Sequence, residues 1–309
     1  MASQPHFLSI SDYSAKQIKQ LLDIADEMKQ HPKRFNKSLK GQVLAMIFEK
    51  SSTRTRMSFE TGMYQLGGVA QFLSSRDIQI GRGEPIYDTA RVMSRFVQGI
   101  MARTFAHQTV TDLAKYGSIP VINGLTDLEH PCQIMADLQT VREHFGLLKG
   151  LKLTYIGDGN NMAHSYMQGT GKTGMDCTII TPTDPKFSCN AAIIEAALED
   201  HEAQGTTLTI TDNVMEGVKG SHVVATDTWV SMGMEEEKAE RIAAFKGFTV
   251  DNAVMEAAGK DSIFIHCLPA YRGYEVLEEV IDGPRSLIYD EAENRLHAQK
   301  AIMFSLMAT

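Results

Sequence analysis

The chain has 309 residues, a formal net charge of -8 and a hydrophobic fraction of 43%. That length suits about two domains of ordinary size, and the apolar content is that of a soluble globular protein. The negative balance disfavours a nucleic-acid partner, which calls for a basic face. It leaves room for a small anionic substrate, because a few local arginines reverse the potential in a cleft.

No apolar run approaches the ~20 residues needed to cross a bilayer. The start, Met1 to His6, lacks the basic and apolar regions of a secretory signal and is not an Arg-rich transit peptide. The four cysteines, Cys132, Cys177, Cys189 and Cys267, form no CxxC pair and no zinc-type spacing with histidine. A reducing cytoplasm is expected, without a disulfide framework.

Ala15, Ile18, Leu21, Leu22, Ala25 and Met28 fall on one helical face, which predicts a helix over residues 14 to 29 with Ser14 as its cap. The apolar run Val43 to Phe48 reads as a buried strand, and Met57 to Met63 as the opening of a helix. Between them lies Ser51-Ser52-Thr53-Arg54-Thr55-Arg56. A strand that turns into a helix leaves free backbone N–H groups and the positive end of a helix dipole at the turn. Hydroxyls and two guanidiniums in the same turn add donors suited to a phosphate. Capping explains one hydroxyl and not the whole run, so an anion site is expected here.

Further β-type runs near residues 69–73, 99–105 and 119–123 alternate with helical patterns such as Asp88 to Phe96. A helix-like segment, 131–145, leads into a second series. Its strand candidates are 151–156, 177–180, 207–210, 223–226 and 263–266, and a last helix covers about 290–307. Alternation of this kind implies parallel sheets covered by helices. The expected fold class is α/β, with two doubly wound parallel-sheet domains and an interdomain active site.

Ligands of open α/β sheets sit beyond the carboxyl ends of strands. The unusual residues of this chain follow strand candidates: Ser52 to Arg56, Arg103, His130 with Gln133, Asn160 with Asn161, Asp227, and Cys267. Gly157-Asp158-Gly159 also follows a strand, but Met162 stands where a dinucleotide fingerprint needs its third glycine. Gly169-Thr170-Gly171-Lys172-Thr173 looks like the end of a P-loop, yet Tyr166 replaces the first glycine and no strand precedes it. A nucleotide-binding kinase is the competing reading this motif would support, and an absence of ATP binding would eliminate it.

His130-Pro131-Cys132-Gln133 opens a helix, with proline suited to its first turn. Asp227-Thr228-Trp229-Val230-Ser231-Met232-Gly233 follows a strand, and its carboxylate and hydroxyl offer acceptors to an ammonium group. His266-Cys267-Leu268-Pro269 ends another strand, where a cysteine is either a small hydrophobe or a ligand contact. The run Glu235 to Lys238 reads as a solvated first helical turn.

Together these segments, with Ala102-Arg103-Thr104 and Ala292-Glu293-Asn294-Arg295, resemble the ornithine carbamoyltransferases of the aspartate/ornithine transcarbamoylase family. The likeness runs over essentially the whole chain. It implies a carbamoyl-phosphate domain over 1–133 plus about 290–309, and an ornithine domain over 134–289. Ser52, Thr53, Arg54 and Thr55 would hold the phosphate. Arg103, His130, Gln133 and Arg295 would contact the rest of carbamoyl phosphate, with Cys267 and Leu268 lining its carbamoyl end. Asn161, Asp227, Ser231 and Met232 would bind the amino-acid end of L-ornithine, and the Leu268-Pro269 bond would be cis. The resemblance also implies a homotrimer or a multiple of trimers, with Gln79 reaching a neighbouring site, a place in arginine metabolism, and no metal or cofactor. A carbamoyltransferase acting on putrescine or acetylornithine is the nearest alternative.

Overall fold

The computed structural model describes residues 5–231 and 233–308. Contacts divide the chain into two units, Met1–Gln139 with Glu293–Thr309, and Thr140–Ala292.

The first unit opens with α1 (Ala15–Gln30). Its Ser14 cap accepts from the Gln17 backbone, and the Gln17 side chain accepts in return from the Ser14 backbone. This reciprocal pair satisfies two of the donors that a helix start leaves over. Then come β1 (Val43–Phe48), α2 (Thr53–Gln65), β2 (Val69–Ser74), α3 (Ile86–Met93), β3 (Gly99–Arg103), α4 (His107–Tyr116), β4 (Val121–Leu125) and α5 (Pro131–Phe145). The four strands are parallel in the order β2-β1-β3-β4. β3 and β4 are buried throughout, whereas the edge strand β2 is largely open to solvent. The apolar composition of the inner strands follows from helices covering both of their faces.

The second unit continues with β5 (Lys152–Ile156), α6 (Asn161–Thr173), β6 (Asp176–Ile180), α7 (Ala191–Gln204), β7 (Leu208–Thr211), α8 (Val214–Gly217) and β8 (Val223–Thr226). It ends with α9 (Lys238–Ala244), α10 (Asn252–Ala258), β9 (Ile263–His266) and α11 (Glu278–Ile281). Its sheet is also parallel, in the order β7-β6-β5-β8-β9. The final helix, α12 (Ile288–Met307), crosses the division between the units, as does α5. No helix among the described residues is long and apolar enough to cross a membrane.

The two strand orders locate the sites. In the first sheet the order reverses between β1 and β3, and in the second between β5 and β8. A crevice forms at such a switch point because the loops leave in opposite directions. The loops concerned carry Ser52 to Thr55 and Arg103 in one unit, and Asn160, Asn161 and Asp227 in the other. Register reinforces this: Phe48 pairs with Arg103, while Ile156, Thr226 and His266 form one row. Asp227 and Cys267 thus leave their strands side by side.

Both glycine motifs have packing explanations. A side chain on Gly159 would meet Phe187 O at 2.4 Å and Cys189 N at 2.5 Å, so the strand-end turn needs glycine to let the 185–189 segment pass. Gly171 lies inside α6 against Asp200 and His201 of α7, at 3.0 and 3.1 Å from an added Cβ. The Gly169 to Thr173 run is therefore the last part of a packed helix, not a phosphate loop.

Candidate active site

In the first unit the chain leaves β1 into α2 through Ser52, whose hydroxyl accepts the Thr55 N–H at 3.1 Å. Thr53 and Arg54 open the helix, so their N–H groups have no carbonyl four residues back. The Thr55 hydroxyl is buried and accepts from two guanidiniums, Arg295 Nη2 at 2.7 Å and Arg103 Nη1 at a long 3.4 Å. Arg103 and Arg295 are themselves buried. Arg54 Nε is buried with no hydrogen-bond partner among the described residues. A donor left over in this place suits an incoming acceptor.

Arg56 departs from the expected cluster of two guanidiniums in the turn. It is exposed, lies 3.8 Å over the Phe72 ring and pairs with Glu60 at 3.1 Å. Residues two apart on a helix point to different sides, so Arg54 and Arg56 cannot share a ligand. Arg103 and Arg295 supply the missing charge beside Thr55.

His130 sits buried just before α5. Burial pushes its pKa well below the usual imidazole value, and Arg295, Arg103, Lys50 and Arg54 push it further the same way. Four cations acting on one imidazole make its surroundings positive, and the ring stays neutral at physiological pH. Gln133 is fully buried and donates to Asp137 Oδ1 at 2.8 Å. Cys132 donates to the Asn123 carbonyl at 3.2 Å, and burial raises its thiol to about 12, which makes it a packing residue. Gln79 is exposed at the start of a short turn, Gln79–Arg82.

Lys50 was not singled out by its sequence context. It is buried, ion-paired with Asp127 and lies 4.5 Å over the Phe105 ring. Its position two residues before Ser52 is the one signal that could have marked it.

In the second unit Asp227 is buried at the end of β8. Its Oδ1 accepts from Thr228 N at 2.8 Å and from the Cys267 thiol at 3.2 Å, and its Oδ2 from Asn160 Nδ2 at 3.2 Å. Asn160 is also the cap of α6, accepting from Met162 N and Ala163 N, and it receives the Tyr155 hydroxyl at 3.3 Å. Asn161, the predicted ligand, is the first residue of α6; the neighbour that touches Asp227 is Asn160. Ser231 is half-buried on the turn after β8. Met232 lies outside the described residues.

Asp158 and Trp229, in the loops after β5 and β8, are joined through Arg241. Its Nη1 donates to Asp158 Oδ2 at 2.6 Å and to the Trp229 carbonyl at 3.1 Å. Glu237, expected to be merely solvated, pairs with the same arginine at 3.0 Å. The Leu268-Pro269 peptide is cis, as the resemblance implies.

Asp227, His266 and Cys267 bring ligand-type atoms within 4.8 Å of one another. The His266 ring is already committed: Nδ1 accepts from Leu268 N at 2.9 Å and Nε2 lies 3.3 Å from Glu275. A ring bonded in this way has no lone pair to offer a cation.

Buried guanidiniums at the switch point of one parallel sheet, and a buried carboxylate with amide and thiol donors at that of another, define an α/β protein whose first unit is suited to an anion. Residues 5–143 match the family model described as aspartate/ornithine carbamoyltransferase, carbamoyl-P binding domain, and residues 149–306 match its Asp/Orn binding domain. The chain belongs to the aspartate/ornithine carbamoyltransferase family. It is 53% identical to the ornithine carbamoyltransferase of Oceanobacillus iheyensis, covering 98% of this chain and 94% of that one. Identity to the ornithine carbamoyltransferase of Carboxydothermus hydrogenoformans is 52%, over 97% of each. Among solved structures, the ornithine carbamoyltransferase of Pyrococcus furiosus is similar with a TM-score of 0.94 and 45% identity, covering 99% of this chain and 97% of that one.

Proposed function

We propose that the chain transfers the carbamoyl group of carbamoyl phosphate to the side-chain amine of L-ornithine, giving L-citrulline and phosphate. The single observation that carries the donor half is the cluster of Arg103 and Arg295 on the Thr55 hydroxyl, beside a helix start and a buried, uncommitted Arg54 Nε. Full-length identity of about half to relatives named ornithine carbamoyltransferase supports the acceptor half.

In this reading the open N–H groups of α2, with Ser52, Thr53, Arg54 and Thr55, bind the phosphate. Arg54 and Arg295 neutralise it as it leaves. Arg103 and the neutral His130 donate to the carbonyl oxygen as it becomes an oxyanion, where fixed donors give large rate effects. Gln133, Cys267 and Leu268 surround the carbamoyl end. Asp227, held by Asn160, Thr228 and Cys267, takes the α-ammonium group of ornithine, with Asn161, Ser231 and Met232 near the same amino-acid end. The attacking nitrogen is neutral: the C–N bond forms as the C–O bond to phosphate breaks, and the proton that the amine gives up leaves with the phosphate. An amine of pKa about 10.4 costs about 4–5 kcal/mol to bind neutral at pH 7.

We further propose a cytoplasmic homotrimer, with Gln79 contributing to a neighbouring subunit's site, and a role in arginine metabolism. The test is a ureido-product assay with carbamoyl phosphate and a panel of amines. L-Ornithine should be the preferred acceptor, with putrescine and acetylornithine poor. Preference for either of those two would move the assignment to another carbamoyltransferase.

A further inference from the structure

The turn after β9 is framed by deeply buried side-chain acceptors. His266, Glu275 and Glu291 are each at most 1% exposed. The His266 N–H donates to Glu291 Oε2 at 2.7 Å, the Leu268 N–H to His266 Nδ1 at 2.9 Å, and the Tyr271 N–H to Glu275 Oε1 at 2.5 Å. Because Nδ1 accepts from the backbone, the proton of the neutral ring sits on Nε2. That nitrogen lies 3.3 Å from the same Glu275 Oε1 and donates to it. Glu275 therefore selects the tautomer that can hold Leu268.

Leu268 needs holding. It has a φ of 56°, the only positive value at a non-glycine among the described residues, and such a backbone persists only where its surroundings impose it. Cys267 lies between the two tethered N–H groups, and its thiol reaches Asp227 Oδ1 at 3.2 Å. Burying a carboxylate is costly, and Glu275 Oε2 has no hydrogen-bond partner among the described residues. A carboxylate kept at that cost calls for a use beyond closing a turn.

We propose that Glu275, acting through His266, is a positioning residue for carbamoyl transfer, fixing the Cys267–Leu268 backbone and through Cys267 the direction of the Asp227 carboxylate. The proposal deepens the function above and rests on it, because it takes this turn as part of the site. Misplacing a reacting partner by about 1 Å can cost on the order of a hundredfold in rate.

The test compares Glu275→Gln, Glu275→Asp and Glu275→Ala in the full-length enzyme, with kcat expressed per folded molecule. Gln keeps an acceptor oxygen at the same reach; Asp keeps the charge but withdraws the oxygen by one methylene. Glu275→Gln should retain kcat within about threefold, while Asp and Ala lose on the order of tenfold to a hundredfold, with KM for both substrates changing far less. If Glu275→Ala does not fold, the Gln–Asp comparison decides. Equal kcat in Gln and Asp, a higher kcat in Asp, or losses that track only the folded fraction would overturn the proposal. A wild-type enzyme that makes no citrulline would overturn the function and this proposal together. Normal wild-type turnover with unaffected variants would overturn this proposal alone.

Discussion

The Thr55 hydroxyl accepts a 2.7 Å hydrogen bond from the Arg295 guanidinium, joining the first turn of α2 to α12 across 240 residues of chain. Arg103 approaches the same oxygen from the end of β3. One small side chain thus sets the spacing of two cations. Thr55→Val keeps the shape and removes the acceptor. It should raise KM for carbamoyl phosphate by about tenfold or more and lower stability by about 1.5–3 kcal/mol, the usual worth of a hydrogen bond to a charged group. Initial-rate kinetics and thermal unfolding check the two numbers separately.

Arg54 and Arg103 are proposed to bear on the reaction more than on the fold. Arg54→Ala and Arg103→Ala should each lower kcat/KM for carbamoyl phosphate by roughly a hundredfold or more, as loss of a transition-state donor does. Far-UV circular dichroism should be unchanged. Arg56→Ala is the internal control: its guanidinium lies over Phe72, so turnover should hold within a few-fold.

The pH profile should separate substrate from enzyme. His130 has a depressed pKa and stays neutral through the neutral range, so it contributes no titration near 6.5. Activity at subsaturating ornithine should climb from about pH 6 to 9 as the amine, of pKa about 10.4, loses its proton. A flat profile would contradict attack by the neutral amine.

Stability should follow His130 and two further buried histidines in the acid range. Burial lowers His130, His201 and His297, the last to about 4. The unfolded chain takes up protons below about 6.5 that the native state refuses, so the unfolded state binds more protons and stability falls as pH drops from about 6.5 towards 4. Thermal midpoints should decline across that window. A midpoint constant from pH 7 to 4.5 would be inconsistent with three buried neutral imidazoles.

Asp227→Asn retains the shape of the side chain and removes its charge. It should raise KM for L-ornithine by tenfold or more, about 1.4 kcal/mol per decade, while leaving that for putrescine within a few-fold. Equal losses for both amines would remove Asp227 from the proposed ammonium contact.

Much of this architecture is legible in the chain because inner parallel strands are buried on both faces and read as uninterrupted apolar runs. Val223–Thr226 and Ile263–His266 have the expected bounds, and Pro131 opens α5 as its chemistry demands. Reading across the strand ends also singles out Arg103, His130 and Asp227. Arg56 was misleading because composition counts charges and ignores the turn of a helix. Lys50 and Arg241 were not legible, since each matters through a partner remote in sequence, Asp127 and Asp158, and Glu275 was missed because it matters only where the turn after β9 brings it back onto His266. Pairings of this sort are products of the tertiary fold, which a single sequence does not spell out.

The most direct measurement follows the carbonyl carbon. Isotopically labelled carbamoyl phosphate is incubated with the enzyme and L-ornithine, and the products are read by mass spectrometry. The account predicts labelled citrulline and phosphate in equal amounts, with no ureido product when ornithine is left out. Label that stays in carbamoyl phosphate, or that appears in a different ureido compound, would contradict it.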